Sequence, residues 1–154
     1  MKILLSAFAV AMLAGCATSP VGDSLANQGL DDLRKPMYLR TERFIPLTFP
    51  QIQMALIRHE RLCGTAPAFA VTEGQTAYGT IIQKQNPTDS LDQAILVDLT
   101  WLQPTWSQET RVKAEVFSRN GGSAVSQRIG QIFATLANPD ACPGDTEADQ
   151  PTKQ

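Results

Sequence analysis

A chain of 154 residues supports one compact core and not two. Its formal net charge of −2, with no Lys/Arg cluster anywhere, excludes a nucleic-acid surface, which needs a concentrated basic patch. The hydrophobic fraction of 43% is that of an ordinary folded domain, raised somewhat by an apolar start.

That start reads MKILLSAFAVAMLAGC, with Lys2 as a positive n-region, Ile3 to Met12 as an apolar core and Leu13-Ala14-Gly15-Cys16 at its end. The run is too short to span a bilayer, which takes about 20 apolar residues, and has the form of a secretory signal. Leu-Ala-Gly-Cys resembles the lipobox of bacterial lipoproteins. The resemblance implies a signal peptide over 1–15, cleavage before Cys16 and a diacylglycerol on that cysteine. By the same resemblance, Ala17 in place of Asp directs the protein to the outer membrane, facing the periplasm. The acyl chains are the expected membrane attachment, each buried CH₂ contributing about 0.8 kcal/mol. Residues 16–36 then read as lipid anchor and flexible tether, punctuated by Ser19-Pro20, Gly22, Asn27 and Gly29. Leu25, Leu30 and Leu33 line one helical turn at most, and Gly29 opposes even that.

A folded domain is expected over 37–142. Tyr38 to Leu47 is extended in character, and Pro46 marks an edge or a strand terminus. Thr48 with Gln51 has the form of a capping box, and Pro50 lies in the first turn, where its missing N–H costs nothing. Phe49, Ile52, Leu56, His59 and Cys63 recur at helical spacing, and Gly64 stops the run. The spacing predicts a helix over Phe49 to Cys63. Ala68 to Thr72 and Thr76 to Gln85 form a hairpin around Glu73-Gly74-Gln75. Ala94 to Leu102 alternates cleanly, with Ile95, Val97, Leu99 and Trp101 on one face and Asp98 and Thr100 on the other. Thr110 to Ser118 repeats the pattern, so a second hairpin is expected across Pro104-Thr105-Trp106-Ser107. Ser123 is the expected N-cap of a final helix carrying Val125, Ile129, Ile132, Phe133 and Leu136 on a narrow stripe. Residues 143–154 hold almost no apolar side chains and read as a disordered tail.

The order β-α-β-β-β-β-α predicts an α+β fold: an antiparallel sheet of four to five strands with two helices packed on one face. Two cysteines remain besides Cys16. In an oxidising periplasm Cys63 and Cys142 are expected to pair, a bridge worth about 4–5 kcal/mol on the chain-entropy model. Free buried thiols and a metal pair are the alternatives. The absence of CxxC spacing and the presence of a single histidine argue against metal.

Chemistry is sparse. His59 lies on the apolar stripe of its helix, either as a buried base or as a packed boundary residue, and the second reading is preferred. Asp98 alone interrupts an apolar strand, and a hydrolase acting through carboxylates needs a pair. Gly121-Gly122 without a P-loop Lys reads as a turn. Trp106, in a Pro-containing loop, is the candidate partner contact, since aromatics are enriched in binding hot spots. Trp101 reads as core, while Met54 and Ile57 lie off the main helical stripe and mark a possible second apolar patch.

These readings favour a non-catalytic, lipid-anchored binding or adaptor protein of the cell envelope. It needs no cofactor, metal or nucleic acid, and its partner is an envelope protein, recruited by strand addition at a sheet edge or through the free sheet face. In architecture alone it is similar to small envelope-assembly lipoproteins, such as the lipopolysaccharide-transport and Bam-complex accessory proteins. The alternative is a carrier or sensor of a small amphiphile such as a lipid, for which Ala77-Tyr78-Gly79-Thr80-Ile81 leaves room for a cavity.

Overall fold

The computed structural model describes residues 29–86, 88–104 and 111–143. Five strands, β1 (Leu39–Ile45), β2 (Ala68–Val71), β3 (Tyr78–Gln83), β4 (Ile95–Leu102) and β5 (Arg111–Phe117), form one antiparallel sheet in the order β1-β5-β4-β3-β2. A short helix, α1, covers residues 29–33. It precedes the two long helices α2 (Phe49–Cys63) and α3 (Ser123–Ala137). The fold is α+β, as the pattern predicts.

Local chemistry sets the helix ends. Thr48 accepts from the Gln51 backbone N–H, Gln51 accepts in return from the Thr48 N–H at 2.8 Å, and Gly64 closes α2 at φ 78°. The start of α3 differs from expectation. Its N-cap is Gly122 at φ 98°, and Ser123 is the first helical residue. A backbone turned that far into positive φ suits only a residue without Cβ, so the glycine takes the cap and no side chain closes it.

The strand register separates two faces. Ile81, Val97, Leu99, Val112, Ala114 and Val116 face α2 and α3, and all are buried with Ile52, Leu56, Ile129 and Ile132 in one core. Burial of each such side chain contributes about 1.5–3 kcal/mol relative to exposure. Arg43 reaches from edge strand β1 over the Phe133 ring at 4.8 Å and closes the core on that side.

The other face carries the main departure from the sequence reading. The tether was expected to run to residue 36, yet residues 29–33 are helical and dock on the sheet. Leu33 is 0% exposed, packed with Leu96, Phe117, Ile82 and Leu91. Gly29, which seemed to oppose a helix, has a packing role: a Cβ there would meet Leu91 Cδ1 at 2.8 Å. Helix propensity is a weak prior, and tertiary contact overrides it here. The sheet face expected to stand free is therefore covered at one end.

Candidate functional site

Register decides which end of the sheet is bare. Phe44 pairs with Lys113, Lys113 with Thr100, and Thr100 with Tyr78, so one rung crosses four strands with an aromatic ring near each side. Both rings stand on the outer face, on the opposite side of the strands from the core residues. One step along, Ile45, Val112 and Trp101 form the next rung, and Val71 ends β2 beside Gly79. Phe44 is 54% exposed, Tyr78 48%, Val71 46% and Trp101 36%. Phe44 and Tyr78 thus share the outer face with Lys113 and Thr100 between them, while Trp101 and Val71 stand on the helix face at the same end of the sheet, opposite α1. Trp101, read from its alternation as core, lies beyond the helices that would have covered it. Arg111 stacks over Phe44 at 4.9 Å, adding a cation to the rim.

Trp106 and Cys16 lie outside the described residues. The loop that carries Trp106 begins at this same end, after β4 closes at Leu102. Sequence reading missed Phe44 and Val71. The signal for Phe44 was its position out of phase with Ile45, which only the register turns into an exposed aromatic. Met54 is exposed on α2 and Ile57 is half-buried, but Ile57 lines a small groove against Pro67 and Phe69 and does not build a patch with Met54.

The polar residues singled out by the sequence have structural partners. Asp98 accepts from Arg34 Nε at 2.7 Å and Nη2 at 3.1 Å, a bidentate pair that fastens α1 to the sheet. That hydrogen bond, offset in part by burial, raises the Arg34 pKa above its already high range. Lys113, between Glu42 at 3.0 Å and Glu115 at 3.1 Å, is likewise held protonated, Glu42 contributing most. Among the described residues, no three His, Cys, Asp or Glu side chains gather as metal ligands, and no helix is long and apolar enough to cross a membrane.

Cys63 and Cys142 form a disulfide with Cα atoms 5.5 Å apart. It is one of three ties between α2 and the chain just past α3. His59 is 3% exposed and its Nδ1–H donates to the Pro139 carbonyl at 3.0 Å, while Arg58 donates to Asp140 at 2.6 Å. Since a carbonyl only accepts, Nδ1 carries a proton. Beside this strap lies an open groove of about 440 Å³ between the helix layer and the end of the β2–β3 hairpin, with His59, Thr135 and Ile132 among its lining residues.

No protein-family model, curated protein or solved structure matches this chain.

Proposed function

We propose that this is a lipid-anchored binding or adaptor protein of the bacterial envelope, held through Cys16 to the outer membrane on its periplasmic side, that works by recruiting a partner protein and not by catalysis. The observation that carries the reading is the bare aromatic end of the sheet. Phe44 and Tyr78 on the outer face, and Trp101 and Val71 on the helix face, expose apolar surface at one end of the sheet. Exposed rigid aromatic side chains are the anchors that dominate the energetics of protein interfaces. The unpaired edges are poor general docking sites by comparison. β2 has four residues, and β1 carries Arg40, Glu42 and Arg43 and a register shift between Leu39 and Thr41, features that discourage unspecific strand addition.

Anchor and partner are tested separately. Cys16→Ala should move the protein from the membrane fraction to the soluble periplasm, and retention in the membrane would refute the anchor. Crosslinking in cells, then purification of the lipidated protein, should recover one stoichiometric envelope protein. Phe44→Ser with Tyr78→Ser should abolish that recovery while the unfolding midpoint stays put. Recovery unaffected by both substitutions would remove the aromatic end from the reading. A protein recovered alone with a reproducible lipid would replace the adaptor by a carrier.

A further inference from the structure

The groove beside the disulfide has a chemistry distinct from the aromatic end. Its apolar wall is Ile132, Ala66 and Pro67, and its buried floor carries two polar side chains, His59 and Thr135. Each is more than nine-tenths buried. The His59 ring is fixed through Nδ1 to Pro139, and no hydrogen bond to its Nε2 occurs among the described residues. At the rim stands Lys84, exposed and without an ion pair among the described residues. None of the lining residues is a carboxylate. An apolar slot with a cation at its mouth, polar groups on its floor and no carboxylate among its described lining residues is complementary to one kind of small molecule.

We infer that this groove binds an amphiphilic monoanion, a medium-chain carboxylate, with the carboxylate at Lys84 and the alkyl chain over Ile132, Ala66 and Pro67. A volume of about 440 Å³ falls within the range of small-ligand sites, roughly 300–1,000 Å³. Position agrees with chemistry. Gln83 lines the groove and pairs with Ile95, next to Leu96, which packs on Leu33 of α1 across the sheet. The groove therefore opens at the sheet end where the chain enters the domain, away from the aromatic rim. Under the anchoring proposed above, that end is nearer the bilayer, where amphiphiles concentrate. The site itself does not depend on the adaptor reading.

The test uses the lipidated full chain in nanodiscs and a photoactivatable diazirine analogue of decanoate. Labelling should be saturable, map to residues 65–68, 82–85 and 131–135, and be competed by decanoate far better than by decanol. Lys84→Glu should weaken the competition constant about fivefold or more, the effect of turning one partly screened attraction into repulsion. Gln131→Trp, at an exposed lining position, should block the slot, whereas Phe44→Ser should change nothing. Labelling confined to other segments, equal competition by decanol, or indifference to both groove substitutions would overturn the site.

Discussion

His59 is a polar side chain on an apolar stripe whose role follows from one bond. With Nδ1 donating to the Pro139 carbonyl, the ring fixes the chain that leaves α3. His59→Leu keeps the bulk and removes the donor, leaving a carbonyl unpaired, and should destabilise the domain by about 1–2 kcal/mol. Urea unfolding would show a lower midpoint at unchanged slope. An unaltered midpoint would mean that water replaces the imidazole at no cost. Lys113 makes a pH-dependent contribution. Its pKa is raised above 10.5 by Glu42 and then Glu115, so its stabilisation is complete below the unfolded value and is lost as pH rises through the folded one. The difference in Tm between the native chain and Lys113→Gln should therefore be constant through neutral pH and vanish only in strong alkali. A difference that disappeared on acidification to pH 7 would contradict the assignment.

The elements differ in how they are specified. α2 was legible to the residue because Thr48, Gln51 and Gly64 write both ends locally, and the strands because burial on one face imposes a period of two. The bridge was legible from the two cysteines that remain once Cys16 is set aside, on the expectation of export. Severing it by Cys63→Ser with Cys142→Ser should cost about 4–5 kcal/mol, since it closes a loop of 79 residues. Denaturant unfolding of the oxidised and substituted chains measures it, and a loss below 1 kcal/mol would mean that the neighbouring His59 and Arg58 ties hold the loop alone. α1 was not legible. Its apolar residues are too few for a periodic signal, and the partners that bury Leu33 lie about fifty residues away or more, in β3, β4, β5 and the turn before β4. The glycine cap of α3 was hidden for a related reason, since backbone dihedrals at Gly121-Gly122 are set by how β5 turns into the helix. Leu33→Ala should cost about 2–4 kcal/mol and abolish hydrogen-exchange protection at the Arg34 amide, which donates to Leu30 at 3.1 Å. Lost protection with global stability intact would make α1 a separate, weakly coupled unit.

At the scale of the molecule, neither candidate site belongs to a single segment. The aromatic end exists because the order β1-β5-β4-β3-β2 brings strand ends from across the chain into one rim. The groove needs the end of α2, the middle of α3 and both ends of the β2–β3 hairpin. A sequence names the residues but not the permutation of strands that gathers them, so the phase of Phe44 against Ile45 pointed to no site and Lys84 carried no signal of its own. The proposed readings place lipid attachment at one pole and partner recognition at the other.

The docking of α1 gives this domain a defined mechanical axis. A load applied between residue 29 and the aromatic pole runs along the strands, so β1 is pulled past β5 in shear, where the rungs from Thr41 to Ile45 resist together instead of parting one by one. Ahead of them in the load path stands α1, held by Leu33 and the Arg34–Asp98 fork, which can strip from the sheet while the core remains closed. Single-molecule pulling from the N-terminal side should therefore record a small early extension before the main rupture, and Asp98→Ala should erase the early event alone. Under the anchoring and partner proposed above, such a fuse would let the protein lengthen between two points that move apart without releasing either.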